Sequence, residues 1–397
     1  QAHIYMEIML LIRKDKNMYY ITVMQSPRYH QMTLEEFLFK DDIVTPAFVD
    51  NTITGTKTYE VSEISDNIKK KFDVAKLILK LYEFNRKTEK LHEVDRHQLY
   101  SEFYIPKKSG GLRKIDAPNK ELMDALRELK GIFEKDFHAL YHTAAFAYIK
   151  HRCTIDALKR HTANDSKWYA KYDLHDFFGS TTKEYVMHMF SMIFPFSEVI
   201  KIDGGRQEFE QAIDLAFLDG GLPQGTPISP LITNVMMIPV DFKVNKQLRD
   251  FEGQKFCYTR YADDFQVSSR YNFNFRDVEK LITDTLAEFG APFNLNNKKT
   301  RYGSNAGRNF NLGLMINANN NITIGYKKKE RFKAMLSNYI MDKKNGIKWD
   351  KNDIQVMDGY RNYYRMVEGA SIDGLVNHIG EKYGVDVVAM IKNDLQS

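Results

Sequence analysis

Cysteine is almost missing from this chain: 397 residues hold two, Cys153 and Cys257. Two thiols exclude a disulfide framework and a four-cysteine zinc site, and they fit a reducing compartment, so the expected location is cytoplasmic. Long apolar runs are missing too. The longest near the N-terminus, Ile8 to Ile12, falls far below the roughly 20 residues of a membrane span and is too short for a signal-peptide core, so no membrane partner is expected. No internal repeat or low-complexity linker interrupts the chain, and its pieces are expected to pack as one molecule. Against these absences, 43% of residues are hydrophobic and 13% aromatic. That is enough for one or more cores and excludes a disordered tail or a collagen-like chain.

Charge of one sign is nearly balanced overall, with 57 Lys and Arg against 52 Asp and Glu. The balance hides an asymmetry. Between Asn294 and Lys348 there are 12 basic residues, among them Lys298, Lys299, Lys327, Lys328, Lys329 and Arg331, and only Glu330 and Asp342 are acidic. The segment therefore carries +10 and the rest of the chain −5. Such a block can line a groove for a polyanion, with nucleic acid the natural candidate. A solvated helical face is the alternative reading of Lys327 to Lys329.

Along the chain, the first 65 residues differ from the rest, with short alternating stretches such as Tyr19 to Val23 and a turn-rich run from Asn51 to Thr56. Val74, Leu77, Ile78, Leu81 and Tyr82 recur with helical spacing, as do Leu122, Leu126, Leu129, Phe133 and Phe137. Phe103 to Pro118 reads as a hairpin around Ser109-Gly110-Gly111. Toward the C-terminus, Phe332, Met335, Leu336, Tyr339 and Ile340 form one helical stripe. Ile372, Leu375, Val376 and Ile379 form another, with Ser371 as its expected N-cap and Gly384 as its end.

The sharpest chemical feature is Tyr261-Ala262-Asp263-Asp264, flanked by strand-like Phe256 to Arg260 and Phe265 to Ser268. Adjacent carboxylates at a hairpin tip repel, and the arrangement asks for a cation, which magnesium supplies; a hydrated surface turn is the alternative. A second acidic strand end, Tyr172-Asp173-Leu174-His175-Asp176, favours the cation. If the two lie side by side in one sheet, their carboxylates can hold two metals about 3.5 to 4 Å apart, as in-line phosphoryl transfer requires. Between them, Gly220 to Asn234 reads as a tight loop turning into a helix near Ser229, with Pro230 in its first turn.

The ordered set of Asp173 with Phe178, Leu222-Pro-Gln-Gly-x-x-x-Ser-Pro230, Tyr261-Ala-Asp-Asp264 and Leu295-Asn-x-x-Lys-Thr300 resembles the bacterial reverse transcriptases, chiefly those of retrons and group II introns. Two elements differ from the usual retron pattern. An Asn-Ala-x-x-His element is here Asp156-Ala157 with His161, and a Val-Thr-Gly triplet is here Asn311-Leu312-Gly313. A free-standing or phage-defence member of the family is an intermediate reading.

The resemblance implies an α+β right-hand polymerase. Its parts would be an N-terminal extension over 1–65, fingers with part of the palm over 66–167, a palm of antiparallel sheet and helices over 168–325, and a helical thumb over 326–397. It implies that Asp173, Asp263 and Asp264 are the catalytic carboxylates, with the Leu174 carbonyl as a further ligand for two magnesium ions, or manganese in their place. Phe178 would exclude a 2′-hydroxyl, although an aromatic at a strand end is also a common core residue. Gln224 and Gly225 would shape the nucleotide pocket. Lys108, Arg113 and Lys114 on the hairpin would fold over the triphosphate, and Lys298 or Lys299 would approach it from the palm. Leu312 and Gly313 would lie at the primer grip. Lys327, Lys328, Lys329, Arg331, Arg361 and Arg365 would hold the duplex.

The expected activity is RNA-directed DNA synthesis from deoxynucleotides on an RNA template with a DNA or RNA primer. Two other readings remain: structural binding of a cognate non-coding RNA with polymerisation secondary, and untemplated or self-primed DNA synthesis in phage defence.

Overall fold

In the computed structural model of the chain the described residues are 13–15, 18–21, 57–59 and 74–396, without 108–109, 137–140, 252 and 307–309. Lys108, Arg308, Phe137, the 51–56 turn, and Thr22 and Val23 of the expected strand lie outside them. Strands β1 (Arg13–Asp15), β2 (Met18–Ile21) and β3 (Lys57–Tyr59) form a small antiparallel sheet.

The first helices are α1 (Val74–Lys87) and α2 (Glu89–Glu93). The stripe on α1 buries Leu77 and Leu81, but Tyr82, expected on the same face, is 44% exposed. One position beyond Leu81 already rotates it toward solvent, where its hydroxyl accepts from Arg86 Nη1 at 3.3 Å. Strands β4 (Tyr100–Pro106) and β5 (Leu112–Pro118) pair antiparallel as the expected hairpin, with Gly110 and Gly111 between them. Helix α3 (Lys120–Gly131) follows, capped by the Asn119 side chain, which accepts from the Leu122 amide at 2.9 Å.

The central sheet orders its strands β7-β8-β6-β9, every neighbour antiparallel. These are β6 (Trp168–Asp173), β7 (Phe256–Tyr261), β8 (Asp264–Ser269) and β9 (Arg301–Ser304). Side chains alternate across it and separate two cores. Ala170, Tyr172, Phe265 and Val267 point into the larger core, while Tyr169 joins the smaller one. The helices of this region are α4 (Thr154–Ala163), α5 (Lys183–Phe190), α6 (Phe196–Lys201), α7 (Asp203–Asp214), α8 (Ser229–Met236), α9 (Ile238–Arg249) and α10 (Phe275–Glu288). A small sheet of β10 (Phe310–Asn311), β11 (Leu314–Ile316) and β12 (Ile322–Thr323) leads into α11 (Tyr326–Lys344), α12 (Lys351–Tyr383) and α13 (Val387–Gln396).

Ser371 does not cap a helix. Helix α12 runs straight through that position and is broken instead at Glu368 (φ −138°, ψ 58°). The Glu368 carboxylate accepts from the Ile324 amide at 2.6 Å and from Lys329 Nζ at 2.5 Å, while Ser371 Oγ accepts from Lys329 at 3.1 Å. The kink thus lies where α12 crosses the start of α11. Gly384 ends α12 in the left-handed conformation (φ 65°), as its sequence position predicts.

Candidate active site

Two residues, Ala262 and Asp263, connect β7 to β8, with Tyr261 and Asp264 paired across the hairpin. Ala262 has φ 57° and Asp263 is not positive, the pattern of a type II′ turn whose first loop position favours glycine. The tip therefore carries backbone strain at a non-glycine residue. Strand β6 ends beside it. Asp173 lies opposite Asp264 in the ladder, and the Leu174 amide donates to the Asp263 carbonyl at 3.1 Å. The two acidic strand ends are neighbours in one sheet, and Leu174 lies at their junction.

Two lysines balance part of this charge. Lys299 Nζ donates to Asp173 Oδ1 at 2.7 Å, and Lys171 Nζ pairs with Asp264 Oδ2 at 2.8 Å. Burial pushes the Asp263 carboxyl above its ordinary range, and neighbouring Asp173 adds to the rise. Burial likewise pushes Asp264 up to about 6 against the opposing pull of Lys171. The Asp173 hydrogen bond raises Lys299. Three carboxylates thus face two ammonium groups, and the site remains short of positive charge.

The donor set suits hard divalent cations, which take oxygen ligands. Asp264 Oδ1 is buried without a hydrogen-bond partner, a lone-pair donor with nothing to receive it. Among the described residues no three acidic, histidine or cysteine side chains already converge as a ligand cluster. Lysine contacts hold Asp173 through Oδ1 and Asp264 through Oδ2, and leave Asp264 Oδ1 as the oxygen that could meet a cation.

Beyond the β6 end, Phe178 is half-buried and meets Phe177 edge-on at 5.6 Å. Its carbonyl accepts the Leu222 amide at 2.9 Å, so the loop bearing Gln224 and Gly225 starts against it. The same loop is tied to the hairpin through Asp116 N–H to Gln224 O at 2.8 Å. Thr226 and Ser229 hydroxyls bond at 2.5 Å, Ser229 Oγ reaches Pro223 O at 3.1 Å, and α8 begins at Ser229 with Pro230 in its first turn, as expected. Arg113 and Lys298 are exposed. Lys114 is engaged within the hairpin. Glu102 and Asp116 face each other across β4 and β5, and Lys114 bridges the two carboxylates, with Asp116 at 3.1 Å.

The basic residues of α11 and α12 are mostly engaged within the protein. Lys329 is engaged by Glu368, Lys328 Nζ by the Gly313 carbonyl, Arg361 by Asp358 at 2.8 Å, and Arg365 by both oxygens of Asp373 at 2.7 and 3.0 Å. Asp358 stands three residues before Arg361 and Asp373 two turns beyond Arg365 on α12, while Glu368 reaches Lys329 from α12 and Lys328 meets a backbone carbonyl, so the four do not stand as a row of unengaged cations. Lys327 and Arg331 are exposed on α11. Leu312 and Gly313 form the tip between β10 and β11 with φ 51° and 78°, both positive as in a type I′ turn.

Sequence reading missed three features. Lys171 stands two residues before Asp173 and so shares its face, a period-two signal that was available. Arg260 is wholly buried beside the aspartate turn. Tyr148 (φ 59°, 56% exposed) lies within electrostatic reach of both Asp263 and Arg113. No local pattern in the sequence announces it.

The sequence model described as reverse transcriptase (RNA-dependent DNA polymerase) matches residues 105–334, more than half of the chain. The chain belongs to the reverse transcriptase family and is an RNA-directed DNA polymerase. Its similarities are of the bacterial retron type. The Retron Ec73 reverse transcriptase of Escherichia coli is 30% identical over 274 residues, covering 66% of this chain and 82% of that protein. The Retron Ec83 reverse transcriptase of the same organism is 26% identical over 306 residues, covering 74% and 89%. Among solved structures, telomerase from Candida albicans in complex with a fragment of telomeric RNA superposes with a TM-score of 0.41 at 11% identity, over 75% of this chain and 59% of that one, a loose likeness. Among the described residues no helix is long and apolar enough to cross a membrane.

Proposed function

We propose that Asp173, Asp263 and Asp264 form the polymerising centre, that they bind two magnesium ions, and that the enzyme extends a DNA or RNA primer along an RNA template. The observation that supports this most is the abutment of the β6 end and the β7–β8 turn, which puts Asp173 opposite Asp264 beside Asp263 and leaves one Asp264 oxygen buried without a hydrogen-bond partner. When bound, the metals activate the primer hydroxyl and neutralise the leaving pyrophosphate. The chain's residues supply the rest: Asp173 and Asp263 orient, Leu174 offers its carbonyl, and Lys299 stands where it can exchange Asp173 for a phosphate oxygen. In this reading the fingers span 66–167, the palm 168–325 and the thumb 326–397, and work proceeds in the cytoplasm.

Phe178 is the proposed sugar filter. Phe178→Ala is expected to lower the preference for deoxynucleotides over ribonucleotides about ten-fold or more in kcat/KM, as removal of bulk from a steric pocket does. Unchanged selectivity would make Phe178 a core residue only. Lys327 and Arg331 are the proposed backbone contacts of the thumb. Reversing both to Glu is expected to weaken template–primer binding at every sequence and to reduce the slope of log K against log salt by about two, one per lost phosphate contact. An unaltered slope would assign them to a solvated face.

A further inference from the structure

Arg260 is buried to 0% exposure, directly before the motif and without a part in the chemistry above. Its Nε and Nη2 each donate at 2.8 Å to the two oxygens of Asp241 on α9, and the Tyr258 hydroxyl donates to the same carboxylate at 2.6 Å. Its remaining nitrogen, Nη1, donates to the Asn234 side-chain oxygen at 3.2 Å and to the Ala262 carbonyl at 3.0 Å. Asn234 lies on α8, which leaves the Gln224-Gly225 loop, and its Nδ2 donates to Ala147 O at 2.7 Å, one residue before Tyr148. The Arg260 backbone completes the link, donating to Ala144 O at 2.7 Å and accepting from the Phe146 amide at 2.9 Å.

A buried ion pair is expensive to desolvate, and apolar residues of similar volume often serve stability as well. What the guanidinium offers in addition is geometry: a planar fork with donors in fixed directions. One of those directions ends on the carbonyl of the strained residue that precedes Asp263. We propose that Arg260 is a positioning residue: by holding the Ala262 carbonyl it fixes the aspartate turn in its metal-binding geometry, and through Asn234 it sets that turn against the helix of the nucleotide pocket. The inference rests on the reading of Asp263 as a metal ligand. Groups that orient ligands without touching the metal commonly control affinity by 10- to 100-fold when removed.

The test is Arg260→Lys, which keeps a cation opposite Asp241 but leaves one point donor in place of the fork. Manganese affinity of the purified full chain, measured by EPR without nucleotide, is expected to fall about 10-fold or more. The magnesium concentration for half-maximal primer extension should rise in parallel, while template–primer Kd stays within about two-fold. If that variant does not fold, Asp241→Asn, which is isosteric and loosens the same fork, is expected to shift manganese affinity in the same direction. Folded variants with a lowered melting temperature and wild-type manganese binding would overturn the proposal and leave Arg260 a purely structural residue. Asp263→Asn in the same assay separates the two ideas. If it too binds manganese as wild type, the metal-site reading fails; if only the Arg260 and Asp241 variants do, this inference alone fails.

Discussion

Asp263→Asn should abolish primer extension, lowering kcat by about a thousand-fold or more while leaving the protein folded. The asparagine keeps the size of the side chain and the backbone bond from Leu174 to the residue 263 carbonyl, so the turn survives. What is lost is a full negative charge at the site proposed to hold two divalent ions between Asp173, Asp263 and Asp264. Loss of transition-state stabilisation worth about 4 kcal/mol corresponds to roughly three powers of ten in rate. Removing this charge also relieves repulsion, since burial and Asp173 both push the Asp263 carboxyl upward. The folded variant should therefore melt no lower than the parent. Lost activity with retained or raised thermal stability is a pattern that misfolding does not produce, and rapid-quench kinetics with a parallel melting curve checks it.

Gly225→Ala is expected to be the second most damaging change. Gly225 has φ 130°, and a β-carbon there would meet the Asp116 carbonyl oxygen at 2.6 Å and Ile115 Cγ2 at 3.0 Å. Backbone strain and overpacking together cost about 2–4 kcal/mol, roughly 30- to 1,000-fold if expressed wholly in kcat/KM. The clash falls where Asp116 and Gln224 join hairpin to loop, so the loss should appear mainly in nucleotide KM. Gly111→Ala provides the contrast. Its φ is 81° but, among the described residues beyond its chain neighbours, no atom lies within 4 Å of the added carbon, so the conformational cost of about 1 kcal/mol dominates. Equal effects of the two substitutions would show that the approach of loop and hairpin does not govern nucleotide binding.

The strands around the aspartate pair were legible because apolar and polar residues alternate on both sides of a two-residue turn. The helix at Ser229 was legible from its proline. That Asp173 stands beside Asp264 was not, since nothing in either strand encodes which partner it takes; resemblance supplied the order of motifs, and the ladder supplies the register. Lysine and arginine roles were the least legible. A charge count places a +10 segment between 294 and 348 but not Glu368, which reaches back from α12 to engage Lys329. Arg260 was hidden for the same reason: its partners lie 19 and 26 residues earlier, on two helices.

The departures from the retron pattern also acquire a physical meaning. His161 is fully buried between Ser268 Oγ at 2.5 Å and Thr259 Oγ1 at 2.7 Å, and burial lowers its pKa to about 3, so it fastens α4 to the sheet as a neutral ring. Asp156 caps the start of that helix by accepting from the Cys153 amide at 3.0 Å. The element thus has a structural role in this chain, tying α4 to the central sheet.

The most direct measurement is primer extension by the purified chain on a defined RNA template, with deoxynucleotides and magnesium, the products being sequenced. DNA complementary to the template, dependent on magnesium and missing with Asp263→Asn, is the predicted result. Products unrelated to the template, or the same products from wild type and Asp263→Asn, would contradict it.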